Sequence, residues 1–167
     1  NLYSSKGFRD VKVTSRIQDD YAGAEGHLAV FLQIEEGPQW FVSDLAIEGV
    51  EASDRPALEG MLASSKNQPF SEASVADDRD NFLNYYYSRG YLNATFDYDA
   101  TPADLPAHVN LRYVLRPGAR KYVRDVLVSG LETTRSRLVY DRLELRSGEP
   151  LSLSKETDSQ RRLYDLG

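Results

Sequence analysis

The stretch NFLNYYYSRGYLNATFDYD, residues 81–99, holds three consecutive tyrosines, a glycine, a fourth tyrosine and then an alternating run. Successive helical residues are about 100° apart, so Tyr85, Tyr86 and Tyr87 cannot share one core face. Two are expected buried or half-buried, with Tyr85 at the flank. Gly90 suits the left-handed conformation that ends a helix, which sets Tyr86 at C3 and Tyr91 at C″, the two positions that touch across a Schellman cap. Beyond it, Leu92, Ala94, Phe96 and Tyr98 alternate with Asn93, Thr95, Asp97 and Asp99, the period of a strand with one wet face. The stretch reads as a helix, a glycine stop and a strand. An aromatic ligand-stacking site is the alternative, disfavoured because the other copies of the motif carry the stop without the extra tyrosines.

Those copies are found by shifting the chain on itself. LYSSKGFRDVKV, from Leu2, sets Tyr3, Ser5, Gly7 and Phe8 on Tyr86, Ser88, Gly90 and Tyr91, and RLYDLG, residues 162–167, is a weaker third version. A shift of 81 residues sets GPQWFVSDLAIEGV, from Gly37, on GARKYVRDVLVSGL, from Gly118, and pairs Phe41 with Tyr122, Asp44 with Asp125, Ile47 with Val128, Gly49 with Gly130, Leu62 with Leu143 and Pro69 with Pro150. Self-similarity at a fixed period marks a tandem architecture. The expected division is the back part of one unit at 1–38 (a helix end and two strands), a complete unit at 39–116, and the front part of a third at 117–167 (a strand and two helices).

Within the complete unit, Phe41–Ile47 reads as a first strand ending at Gly49. A first helix follows from Ser53 or Asp54 as N-cap, with Pro56 in its first turn and Leu58, Met61 and Leu62 at helical spacing. A second helix opens at Ser71, has acidic residues in its early turns, and lays Val75, Arg79, Phe82 and Tyr86 along one stripe. Two strands joined by TPADLPAH close the unit, the second from Val109 to Leu115. In the first copy the hairpin turns at DDYAGAEG, with Val11 and Val13 on one strand and Leu28–Ile34 as the other. The order is β-α-α-β-β.

Composition excludes several classes. Of 167 residues 41% are hydrophobic and 28% charged, within the globular range, and no run approaches a membrane-spanning helix. The net charge is −6 with scattered basic residues, so nucleic acid is not an expected partner. No cysteine is present, which removes disulfides and thiolate metal sites. His27 and His108 sit at equivalent turn-to-strand positions and need no metal or acid–base role. The acidic clusters EASVADDRD and DYDATPAD lack EF-hand spacing, and no nucleophile, zinc-protease or phosphate-loop motif occurs. No catalytic residue, metal or cofactor is expected. With no initiator methionine and no signal-peptide pattern, the sequence reads as an internal fragment.

A β-α-α-β-β unit of this length, opened by EGPQWFVSDLAIEG and containing YYYSRGYLNATF, resembles the POTRA (polypeptide-transport-associated) domain, repeated in outer-membrane β-barrel assembly and translocation proteins of the BamA and TamA type. The resemblance implies an α+β fold of tandem units, each a three-stranded mixed sheet with two antiparallel helices on one face. It implies a periplasmic location, tethered to the outer membrane through a C-terminal barrel of the same parent chain. Implied partners are unfolded outer-membrane protein clients and periplasmic or lipoprotein partners, engaged partly by adding a strand to an exposed sheet edge; the alternative is a passive structural spacer. Strand addition has a plain physical basis, because an edge strand offers unpaired N–H and C=O groups in register. Ala94, Thr95, Phe96, Asp97 and Tyr98 are the expected polypeptide-binding edge, and Thr95→Pro is expected to weaken binding with little loss of stability. Parts of three units favour the assembly-factor branch. The partial units would leave apolar faces open, Val11, Val13, Val30 and Leu32 in one and Val126, Val128, Leu143 and Leu163 in the other, which favours association between molecules.

Overall fold

The structure is a computed structural model that describes residues 2–23 and 25–165. Its elements are α1 (Leu2–Ser5), β1 (Lys12–Asp19), β2 (Leu28–Glu35), β3 (Phe41–Glu48), α2 (Arg55–Glu59), α3 (Glu72–Tyr87), β4 (Thr95–Pro102), β5 (His108–Arg116), α4 (Ser136–Tyr140) and α5 (Leu153–Tyr164). The chain divides into two compact units, Asn1–Ala46 with Ala63–Asp77 and Asp99–Arg112, and Ile47–Leu62 with Asp78–Tyr98 and Tyr113–Gly167.

β1 and β2 form a two-stranded antiparallel sheet, and β3, β4 and β5 a three-stranded sheet in the order β3-β5-β4. The larger sheet is mixed. β3 and β5 start together, where Phe41 N–H donates to Ala107 O at 3.0 Å, and end together, where a Cβ on Gly49 would lie 1.9 Å from Leu115 O, so they run parallel. β4 and β5 are joined by a tight turn in which Ala103 N–H donates to His108 O at 2.9 Å.

In the first unit the buried core is Val42, Phe70, Val75, Val109 and Leu111; in the second it includes Leu58, Phe82, Tyr86, Tyr113 and Leu115, with Ile47, Ala94 and Val139. The second holds an aromatic cluster, with Tyr113 4.9 Å from Phe96 and 6.2 Å from Phe82 between ring centroids. Such pairs contribute about 0.5–1.5 kcal/mol each beyond their burial. The α3 stripe departs from the apolar reading at one place. Arg79 is exposed and Asp78 is fully buried, accepting a 2.8 Å hydrogen bond from the Tyr113 hydroxyl. A buried carboxylate is tolerated only with such partners, and here the partner comes from β5.

The first helix is shorter than the spacing suggests. α2 has five residues, and Asp54 makes no side-chain cap; its carboxylate instead accepts from the Tyr85 hydroxyl at 2.8 Å. No strand forms over 122–128, against the expectation for the third copy. Among the described residues that stretch has only the isolated bridge Tyr122–Pro150, because a ladder needs a neighbouring strand to pair with. The β1–β2 hairpin forms as read, but neither of its faces is covered: Val13, Ile17, Leu28, Val30, Leu32 and Ile34 are all exposed. Ala24 in its turn, and Leu166 and Gly167 in the third glycine motif, lie outside the described residues.

Both described glycine stops are Schellman caps. Tyr91 N–H donates to Tyr86 O and Gly90 N–H to Tyr87 O, while Phe8 N–H donates to Tyr3 O and Gly7 N–H to Ser4 O. The flanking rings touch edge to face, Tyr86 with Tyr91 at 5.5 Å and Tyr3 with Phe8 at 6.0 Å. Each cap is then tied to a segment about 30 residues further on, which at Gly7 is the lead-in to β3. Lys121 N–H donates to Gly90 O at 2.7 Å, and Trp40 N–H to Gly7 O at 2.8 Å. Gly90 has φ +93°, and a Cβ there would lie 2.6 Å from Lys121 O.

Gly90→Ala therefore meets two penalties, the left-handed strain of about 1–2 kcal/mol and a backbone clash. Gly148, with φ +83° and nothing within 4 Å of an added Cβ, meets only the first. Denaturant unfolding followed by circular dichroism should show Gly90→Ala losing at least about 2 kcal/mol and clearly more than Gly148→Ala. Equal losses would mean that the junction adds nothing.

Candidate functional site

Among the described residues β4 has a single neighbour in the sheet, β5, so one whole side of its backbone faces outward. The opposite edge of the sheet is different. At the start of β3, Val42 N–H donates to Gln68 O at 2.9 Å and Asn67 N–H to Val42 O at 2.8 Å, so residues 67–70 already occupy that edge. β4 is the open one.

The Ala103–His108 hydrogen bond sets which amides point where. In an antiparallel pair, alternate residues direct both N–H and C=O to the neighbour and the residues between direct them away. Counting back from Ala103, residues 101, 99, 97 and 95 face β5, and Phe96, Tyr98, Ala100 and Pro102 face outward. Pro102 fits this parity, since a residue without N–H is tolerated in a strand where its nitrogen faces away from the ladder.

Side chains hold the strand in place. On one face Asp97 pairs with Arg116 and Asp99 with Arg112, both on β5. These pairs are more than half exposed and contribute little to stability, but they fix register and place charge along the edge. On the other face the half-buried Phe96 ring packs on Tyr113 and Phe82, while Tyr98 stays 42% exposed. The edge is thus a side-chain-anchored strand with a free row of backbone groups.

The expected edge residues fall into place unevenly. Phe96 and Tyr98 offer outward backbone groups, and Asp97 supplies charge between them. Ala94 lies before the strand, is buried, and donates its N–H to Tyr91 O in the turn after the helix stop. Thr95 starts the strand with its amide toward β5, so a proline there would break a ladder hydrogen bond, contrary to the small stability loss expected for Thr95→Pro. Ala100 and Pro102 extend the edge beyond the expected residues; the proline in an otherwise alternating run was the available signal.

The other polar features serve the fold. His27 Nδ1 lies 3.1 Å from Glu25 O and His108 Nδ1 2.8 Å from Pro106 O, the same turn-closing contact in both copies. The tyrosine run is divided among structural tasks: Tyr85 binds Asp54, the Tyr87 hydroxyl donates to Ala94 O at 3.4 Å, and the Tyr86 hydroxyl is buried near the same Asp54 carboxylate, at a geometry that makes no well-formed hydrogen bond. Burial first, and then the nearby Asp54 carboxylate, push the Tyr86 phenol well above its usual range; burial also raises Tyr85. Among the described residues no helix is long and apolar enough to cross a membrane.

Residues 41–118 match the POTRA family, described as surface antigen variable number repeat. The chain is 19% identical over 169 residues to a Treponema pallidum protein named as an outer membrane protein assembly factor, an alignment covering 99% of this chain and 20% of that protein. It is 26% identical over 144 residues to outer membrane protein assembly factor BamA of Nitratidesulfovibrio vulgaris, covering 83% of this chain and 18% of that protein. The chain therefore spans about a fifth of the length of the curated relatives it matches. The fold is shared with the crystal structure of Haemophilus influenzae BamA POTRA3-5, at a TM-score of 0.64 and 20% identity over 99% of this chain and 65% of that one.

The tyrosines yield a pH prediction. A phenol whose folded pKa is raised above its unfolded value of about 10 favours folding below that pH, and the advantage is lost as pH rises past it. Tyr86→Phe removes a buried hydroxyl that makes no well-formed hydrogen bond, so it should leave the melting temperature at neutral pH unchanged or higher. In an alkaline titration followed by circular dichroism, its unfolding midpoint should move to higher pH. A large loss of stability at neutral pH would show that the hydroxyl is satisfied after all.

Proposed function

We propose, on the match of residues 41–118 to the POTRA family, that this chain is a non-enzymatic polypeptide-binding module of an outer-membrane protein assembly or translocation factor. In this reading it works in the periplasm, tethered through a barrel carried elsewhere in the parent protein. Its clients are unfolded outer-membrane proteins, and periplasmic or lipoprotein partners dock on the same kind of surface. The observation that carries the proposal is the outer edge of β4, which presents the backbone of Phe96, Tyr98 and Ala100 with no strand beside it. An extended segment laid along that edge gains a ladder of main-chain hydrogen bonds at a strand already held by its aromatic anchor. Backbone pairing is tolerant of client sequence, which suits a module that handles many polypeptides. Side chains of the incoming strand would alternate between the Asp97–Asp99 face and the face beside Phe96 and Tyr98.

The passive spacer is the second reading, and the paired glycine junctions favour it, because each couples a helix stop to a segment about 30 residues further on by the same backbone hydrogen bond. Titration with an extended peptide separates the two. A binding module shifts the amide resonances of β4 and leaves β1 and β2 unmoved; a spacer shifts none.

Proline substitution tests the direction of the edge. Tyr98→Pro removes an outward donor and places a ring where the incoming strand would lie, so peptide affinity should fall by about tenfold or more, the equivalent of ~1.4 kcal/mol, with stability nearly kept. Tyr98→Ala should retain most binding, since its amide is intact. Thr95→Pro should instead destabilise the domain. Binding by Tyr98→Pro at unchanged affinity would remove β4 as the site.

A further inference from the structure

An extended segment paired along β4 would bring its side chains against fixed neighbours. Phe96, Tyr98 and Ala100 direct their backbone groups outward, so in antiparallel addition they form the hydrogen-bonded pairs. Asp97 and Asp99 then occupy the non-hydrogen-bonded pairs, in which facing Cα atoms are about 4.5 Å apart and side chains approach most closely. The two incoming residues opposite them meet a carboxylate at short range.

Those carboxylates are only half engaged. Arg116 donates to Asp97 and Arg112 to Asp99, in each case to Oδ2, and among the described residues neither Oδ1 has a hydrogen-bond partner. Both guanidiniums come from β5, on the inner side of the strand. The Asp97 and Asp99 side chains remain 65% and 54% exposed. An ionised carboxylate accepts several donors, so a cation arriving on the outer side would complete a row of alternating charge across three strands. An incoming carboxylate would instead face a like charge, which is destabilising. The other face of β4 asks for different chemistry. There Phe96 is half-buried on Tyr113, the Tyr98 ring is largely uncovered, and Ala100 leaves room beside it, which suits an apolar or aromatic neighbour.

We propose that the polypeptide preferred by β4 is an antiparallel strand alternating basic with apolar or aromatic residues, the basic ones opposite Asp97 and Asp99. This rests on the edge-pairing function above and adds a selectivity to it. Backbone pairing supplies the sequence-tolerant part of the affinity, and the two carboxylates set which strands are favoured and in which phase, since a slip of one residue would exchange the two faces. Charge on an edge strand guards against indiscriminate pairing. Here the same charges admit strands that bring cations and turn away strands that bring acids.

The peptide Thr-Val-Thr-Val-Thr-Val-Thr and its versions with lysine or glutamate at the third and fifth positions test this on the whole chain, with binding read from the β4 amide resonances. At low salt the lysine peptide should bind about tenfold more tightly than the glutamate peptide, with the neutral one between, as expected when two cross-strand pairs change sign. The gap should narrow at about 0.5 M salt. Because a chain of net charge −6 attracts any cation, Asp97→Asn combined with Asp99→Asn is the control. It leaves the chain acidic yet should remove the preference, and its circular dichroism spectrum should be kept, since exposed ion pairs contribute little to stability. Equal affinity for the lysine and glutamate peptides while the neutral one binds, or a lysine preference that survives the double substitution, would overturn the selectivity and leave β4 as the site. Failure of every peptide to shift β4 would remove the edge function and this inference with it.

Discussion

Two demands meet at Gly90. The chain must turn out of α3 with a left-handed residue, and the carbonyl of Lys121 must approach the same Cα closely enough that any side chain would strike it. Only glycine satisfies both. The same pair of demands recurs at Gly7, where a Cβ would lie 2.6 Å from Trp40 O, and the flanking side-chain hydrogen bonds recur with it: Gln39 Nε2 to Lys6 O, and Arg120 Nε to Arg89 O, each 2.8 Å. The cap thus does more than end a helix. It turns the chain toward the next strand and holds a later segment by a backbone hydrogen bond, which at Gly7 is the lead-in to β3.

From that turn follows the open edge. Because the cap delivers the chain through Tyr91–Ala94 into β4, and the turn at 103–108 folds it back as β5, β5 takes the position beside β3 and β4 is left outermost. The Phe96–Tyr113–Phe82 cluster anchors the edge strand, and the Asp78–Tyr113 hydrogen bond anchors Tyr113 in turn. Rigidity matters for a surface that binds through backbone groups, since a frayed strand would lose ordering entropy on each encounter.

Local features were legible in the sequence and distant ones were not. The Schellman caps, β3 and β5 depend on residues within a few positions of one another, and their motifs read directly. Asp78 was missed because an acidic residue in an early helical turn has a sufficient local explanation; only Tyr113, 35 positions away, reveals its burial. α2 was overextended for a similar reason, Asp54 being engaged by Tyr85 from another helix. The strand at 122–128 was expected from repeat symmetry, yet pairing belongs to two segments and not to one. At the candidate site the edge itself was legible from the hairpin, but its parity was not: whether Thr95 or Tyr98 faces outward is set by the hydrogen bonding of the 103–108 turn.

Amide hydrogen exchange along β4 tests the central claim most directly, read residue by residue in the free chain and with a saturating peptide of alternating valine and threonine. The account predicts that Asp97 and Asp99, which face β5, are protected throughout, while Phe96, Tyr98 and Ala100 exchange rapidly in the free chain and become protected when the peptide binds. Protection of Phe96, Tyr98 and Ala100 in the free chain, or rapid exchange that the bound peptide leaves unchanged, would contradict it.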